Sequence, residues 1–270
     1  MAEQNKSVWL GRARPIIRNA MLLFVTLSAL MYLWLVLGNI FFGSEIGMKQ
    51  FLAPKEHPTV VVMFTLLGSA IVFAGIYFSD FRGAIEIKPE GFFDIVSLVL
   101  SRITMIAVVF ILVAMLYEVV ARYVFNAPTL WANELALWIA GFVFLFAGLY
   151  AMQQRSHIRI YIIYDMMPLW MRKASDVLSV ILIWFFTFGL IFGSYTDVKT
   201  KMARMETFGT AWDPPIPSTV YLGILVIISL VALQALSNLI ADWHKIPESH
   251  SPMDDIDETE IEHIRKSIED

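Results

Sequence analysis

The sequence predicts an all-α polytopic membrane protein with six transmembrane helices and both termini cytoplasmic. Three observations predict it. The chain is 58% hydrophobic and only 16% charged, whereas soluble domains carry roughly a quarter charged residues. The charges sit in short clusters between long uncharged runs. Lys and Arg also fall unequally on the two sides that those runs define.

The spans follow in order. A bilayer core about 30 Å thick takes about 20 apolar residues of helix to cross. Residues 20–42 are uncharged and form the first candidate. Basic residues precede this run, as in a signal peptide. It is too long for an apolar signal region and no small-residue cleavage site follows, so it is expected to be a retained helix. Residues 59–79 are uncharged and form the second span. Residues 95–121 form the third, interrupted near its ends by Arg102 and Glu118. Residues 135–154 and 177–196, both uncharged, form the fourth and fifth. The uncharged run 214–241 holds the sixth, with the span nearer 219–241 and its first residues at the interface.

Helix is the required conformation, because hydrocarbon offers no water to satisfy backbone N–H and C=O groups. Barrel strands would alternate over segments of about ten residues, and these runs do not.

Fourteen Lys and Arg lie on the side of the N-terminus and six on the other, which places both termini in the cytoplasm. Tyr77, Tyr123, Trp131, Tyr150, Trp170, Tyr195, Trp212, Tyr221 and Trp243 lie near span ends, as an interfacial aromatic belt requires. Residues 160–174 are too short to span and are expected along the cytoplasmic face. The chain divides into an extension with two spans (residues 1–94), a four-helix core (95–243) and an acidic cytoplasmic tail (244–270). Nine acidic residues follow Pro247. Within the tail, residues 254–270 can form one short helix, with Ile261, Ile264 and Ile268 on one face.

Composition also excludes functions. Without cysteine there is no disulfide, thiolate metal site or cysteine nucleophile. No basic stripe suits nucleic acid. His57, His157, His244, His250 and His263 all fall in loops or the tail, which argues against bis-His haem ligation. No His, Asp and Glu share zinc-ligand spacing, and no phosphate loop or nucleophile elbow occurs. The chain is expected to be no enzyme and to hold no cofactor. Polar residues in the spans are few. Glu118, Arg102, Asn39, Gln234, Asn238 and Asp242 are terminal or near-terminal, and suit interface or helix–helix contacts. An internal ion path is the alternative. No pair of broken helices marks a substrate site. The pattern is that of a scaffold more than of a self-sufficient carrier.

Two segments carry more specific information. Arg122-Tyr123-Val124-Phe125-Asn126-Ala127-Pro128-Thr129-Leu130-Trp131-Ala132-Asn133-Glu134-Leu135 joins the third and fourth spans. Asn126 and Pro128 suit a tight bend after a helix end. Arg122 is expected to snorkel to headgroups or pair with Glu134. Trp131 suits an interfacial anchor, and Glu134 a helix first turn, where a carboxylate complements the dipole. The second segment, Gln154-Arg155-Ser156-His157-Ile158-Arg159-Ile160, follows the fourth span.

Together these segments resemble the small-permease (DctQ-like) family of TRAP, tripartite ATP-independent periplasmic, transporters. Glu206-Thr207 and Trp212-Asp213-Pro214-Pro215 are similar to that family too. The resemblance covers about residues 95–243. It implies a small subunit that scaffolds a large, DctM-like permease subunit in an elevator-type carrier of the bacterial inner membrane. The large subunit would carry the solute and sodium sites, and a periplasmic solute-binding protein would deliver an organic acid. It further implies a subunit or lipid interface at Arg122, Tyr123, Phe125, Asn126, Pro128, Trp131, Glu134, Arg155, His157 and Arg159.

Three departures stand out. Asn133 and Tyr161 occupy positions where that family often has an acidic residue, and two added spans precede the core. The added pair is expected to enlarge the scaffold or cover a face of the complex. Gly141, Ala147, Gly148 and Ala151 permit close packing, against a partner or within the chain. The rival functions are the membrane anchor of a respiratory redox complex and an independent carrier.

Overall fold

The computed structural model describes residues 7–43, 46–81, 83, 86–155, 164 and 166–245. Six long helices account for most of them: α1 (Arg14–Phe42), α2 (Pro58–Ser79), α3 (Phe92–Tyr123), α4 (Ala132–Gln153), α5 (Leu169–Ala203) and α6 (Ile216–Asp242). All six are long and apolar enough to cross a membrane. The chain is therefore the all-helical, multi-pass membrane protein that its uncharged runs predict.

The helices overrun the apolar runs, because elongating a helix is cheap once it is nucleated. α1 starts at Arg14, with a proline in its first turn, where the missing N–H costs nothing. α5 starts behind Pro168, which is extended at φ −65° and ψ 155°. This corrects the reading of residues 160–174 as a surface stretch. Residues 169–174 are the first turns of α5, since no breaker separates them from the apolar run. Residues 160–163 and 165, and the tail helix expected over 254–270, lie outside the described residues.

The helices pack as a row. α1 packs on α2, α2 on α3, α3 on α4, α4 on α6 and α6 on α5, with a further contact between α3 and α6. The chain thus forms a flattened layer flanked by α1 and α5. These two keep wide apolar faces, with Leu30, Trp34 and Phe41 exposed on α1 and Phe185 and Phe192 on α5. Faces of that kind are untenable in water and suit lipid or a partner chain.

Small residues set the closest approaches, as expected where hydrophobic collapse cannot drive helix association. A Cβ on Gly75 of α2 would lie 2.7 Å from Ile103 Cγ1 and 3.2 Å from the Val99 carbonyl of α3. A Gly75→Leu variant is therefore expected to lose about 1–3 kcal/mol through overpacking, seen as earlier thermal unfolding in detergent. On α4, a Cβ on Gly141 would lie 3.3 Å from Val220 Cγ2 of α6. Gly148 has open space beside it and Ala147 is exposed. The small residues of this helix therefore split between internal packing and an open face.

Candidate functional site

The turn between α3 and α4 is built around a buried carboxylate. Asn126 takes the left-handed conformation at φ 50°, which asparagine tolerates better than most residues. The Ala127 N–H returns to the Ala121 carbonyl at 2.9 Å, closing the end of α3. Glu118 is 3% exposed. One of its oxygens accepts from Arg122 Nε at 2.9 Å and from Arg122 Nη2. The other accepts from the Thr129 N–H at 2.9 Å and from the Thr129 hydroxyl. One side chain thereby clasps both arms of the turn.

The expected pairing of Arg122 with Glu134 is not what forms. Glu118 lies one helical turn before Arg122 on the same face, where i,i+4 partners meet. Glu134 is engaged elsewhere: it accepts from the Thr210 hydroxyl at 2.7 Å and from the Asp213 N–H at 3.1 Å. It pins the α5–α6 connection to the first turn of α4. In that connection Asp213 also accepts from the Gly209 N–H at 2.6 Å. That bond and one from the Thr207 side chain hold its pKa below the ordinary value, against the opposing effect of desolvation.

Indoles complete this end of the layer. Trp131 stacks on Tyr117 at 5.8 Å. Trp212 donates to the Met48 carbonyl at 2.9 Å, tying the α1–α2 connection to the α5–α6 connection. Tyr123 and Phe125, by contrast, are 76% and 71% exposed, with Val124 and Leu130 exposed beside them. Pro128 is exposed as well. The motif thus divides into residues that hold the turn and an apolar rim that the chain itself does not cover.

A Glu118→Leu variant keeps the side chain's bulk and removes both clasps. It is expected to open the turn, measured as faster hydrogen exchange of the Thr129 amide. Unchanged exchange there would show that Glu118 does not hold the turn.

The other end of the layer is held by a longer polar chain. Arg155, at φ 54°, grips Asp242 with Nε and with Nη2, the latter at 3.0 Å. Lys245 reaches Glu90 at 3.2 Å and Asp242 at 3.2 Å. Deeper, Gln234 is fully buried. It donates to Asp94 at 2.6 Å and to Asn238 Oδ1 at 2.9 Å, and accepts from Ser97 at 2.9 Å. Asn238 donates to the Met152 carbonyl at 2.7 Å. Gln234, Asn238 and Asp242 therefore join α6 to α3 and α4. Mutual satisfaction of this kind is what buried polar groups require. His157 and Arg159 lie outside the described residues.

Two more clusters at this end involve the added helices, the first within the extension and the second between it and the core. Asp80, at the end of α2, is fully buried. Its Oδ1 accepts from the Ser7 hydroxyl and the N–H groups of Val8 and Trp9, each at 2.9 Å, and from the Leu10 N–H at 3.0 Å. Arg14 Nε lies 3.3 Å from Oδ2. Consecutive amides aimed at one anion form a cradle, and this one docks the segment before α1 onto α2.

The second cluster centres on Glu86 in the α2–α3 connection. It accepts from Arg102 Nη2 at 2.6 Å, the Tyr150 hydroxyl at 2.8 Å and the Gly83 N–H at 2.7 Å. Arg102 also donates to the Phe81 carbonyl at 3.0 Å. The connection thus folds back to meet Arg102, which the sequence alone places near a helix end. Burial raises the Glu86 pKa, but the bonds from Arg102, Gly83 and Tyr150 prevail and hold it below its ordinary value of 4.5.

Neither cluster is signalled by local sequence, because each partner comes from another element. Glu118 with Arg122, by contrast, carries a visible mark, its four-residue spacing. Among the described residues no group of His, Asp and Glu could hold a metal ion.

No curated protein and no solved structure matches this chain. A family model does: that of the tripartite ATP-independent periplasmic transporters, DctQ component, over residues 97–245. The match begins just inside α3 and runs past the end of α6, leaving α1 and α2 outside it. It contains the Glu118 clasp, the Glu134 pin and the Arg155 pair, and spans more than half of the 270 residues. The chain belongs to the DctQ component family of tripartite ATP-independent periplasmic transporters.

Proposed function

We propose that this chain is the small membrane subunit of a TRAP secondary transporter, a static scaffold for the large DctM-like permease subunit. The family match over α3–α6 carries the reading. In it, a periplasmic solute-binding protein delivers an organic acid, and the large subunit couples its uptake to sodium. The chain lies in the bacterial inner membrane with both termini cytoplasmic, on the side rich in Lys and Arg. It needs no cofactor and catalyses no reaction.

The disposition of polar groups supports a scaffold. Gln234, Asp94, Glu118 and Arg102 are bonded within the chain, so they knit helices together and do not line a path. The apolar rim of Tyr123, Val124, Phe125 and Leu130, together with the open face at Ala147 and Gly148, suits contact with a neighbour or with lipid. Interfacial aromatics and end charges resist displacement along the bilayer normal. A domain that slides needs a neighbour anchored in that way. The added pair α1–α2 widens the scaffold: the Asp80 cluster holds the start of α1 on α2, and the Glu86 cluster ties their connection to α3 and α4 of the family core.

Tagged purification is expected to bring down a large hydrophobic subunit. Proteoliposomes are expected to take up solute only with that subunit and the binding protein present. Uptake by this chain alone would defeat the reading. Removal of residues 1–90 with assembly and uptake unchanged would defeat the role given to α1–α2.

A further inference from the structure

Between the end of α2 and the middle of α3 lies an open groove of about 590 Å³, lined by Phe78, Phe81, Gly83, Arg102, Met105, Ile106 and Val109. Its volume falls in the range of about 300–1,000 Å³ typical of small-molecule sites. Phe78, Met105 and Val109 are exposed, so it opens on the surface of the layer. Its walls come from both the added pair and the family core.

Among the described residues the one charged group in the lining is Arg102. Its Nη2 is taken by Glu86 and the Phe81 carbonyl. Among those residues its Nε is buried without an acceptor, and Nη1 meets only the Met105 sulfur at 3.5 Å. A guanidinium presents five N–H donors in a fixed fork, and a buried donor left unmade is costly. The groove therefore asks for an oxygen acceptor at one end and hydrocarbon along the rest.

Depth selects the occupant. α3 has 32 residues, about 48 Å of helix, against a hydrocarbon core of about 30 Å. With α3 centred in the bilayer, Arg102 lies several ångströms inside the boundary, where lipid ester and phosphate oxygens come within reach of a long side chain.

We propose that this groove holds an acyl chain of one phospholipid, with a phosphate or ester oxygen of that lipid accepting from Arg102. The lipid seals the joint between the added pair and the core. Arg102 keeps its bond to Glu86 and offers Nη1 to the lipid.

The test is native mass spectrometry of the full chain, delipidated in mild detergent and then incubated with palmitoyl-oleoyl phosphatidylglycerol. The chain is expected to retain one lipid under conditions that strip the rest. Val109→Trp fills the groove from its exposed rim without touching the core, so the fold is kept and the adduct is lost. Arg102→Lys keeps a cation for Glu86 but lacks the second terminal nitrogen that reaches the lipid, and retention weakens. Absence of a retained lipid, or equal retention in Val109→Trp, overturns the proposal. A cross-link from position 109 to a polypeptide partner in native membranes overturns it too.

Discussion

An Asp80→Ala variant is expected to lose about 3–5 kcal/mol of stability, the usual consequence of removing one member of a buried charged pair. Asp80 is fully buried, and four donors converge on one of its oxygens. Alanine leaves three amides and a hydroxyl without this acceptor and removes the carboxylate beside Arg14, and an unmade bond there costs the full desolvation penalty. The loss has a location. Trp9 also donates to the Ser79 hydroxyl at 3.2 Å, so the segment before α1 depends on this corner of α2. The amides of Val8, Trp9 and Leu10 are expected to lose hydrogen-exchange protection before those of α3–α6 do. Asp80→Asn keeps an acceptor oxygen but presents an amide to Arg14, and an intermediate loss of about 1–3 kcal/mol follows. Equal stability of the alanine variant and the parent in a denaturation series would remove the cradle's structural role.

Arg102→Ala is the second large effect, again about 3–5 kcal/mol. Arg102 and Glu86 pair at 2.6 Å, with side chains 12% and 9% exposed. Removing the guanidinium takes the cation from a buried carboxylate, which keeps its bonds from Tyr150 and the Gly83 N–H, and releases the connection that it holds at Phe81. The pH dependence provides a second reading. Glu86 has a folded pKa below its ordinary 4.5. Its contribution is therefore fully present above the unfolded value and is lost as pH falls through the folded one. The stability gap between parent and Arg102→Ala is expected to be widest near neutral pH and to narrow on acidification below 4.5. A gap that stays constant across that window would show that the pair's charge is not what stabilises the connection.

The corrections to sequence-based expectation share one cause. Arg122 was expected at Glu134 or at headgroups, yet it bonds Glu118. Glu134 was expected to serve the helix dipole, yet it also binds Thr210 and the Asp213 N–H in another connection. Arg102 and Gln234, expected to serve interface or helix–helix contacts, do bond residues of other elements. In each case the residue type and its cost in hydrocarbon were legible, and the partner was not.

What the sequence determined by itself is the membrane architecture and the family. Uncharged runs of spanning length compel helices because lipid cannot satisfy a peptide group. The Arg122–Leu135 turn, with its Asn and Pro, marks the hairpin on which the resemblance to the family rests. Only the tertiary structure decided who meets whom. It placed α6 between α4 and α5. It also brought Asp80 to residues 7–10 and Gln234 to Asp94, pairs separated by at least 70 and by 140 positions. Hydropathy is a property of each segment taken alone, whereas hydrogen bonding in a low-dielectric interior is settled by which segments become neighbours. Packing of small residues such as Gly75 sets that neighbourhood, and no local pattern along the chain encodes it.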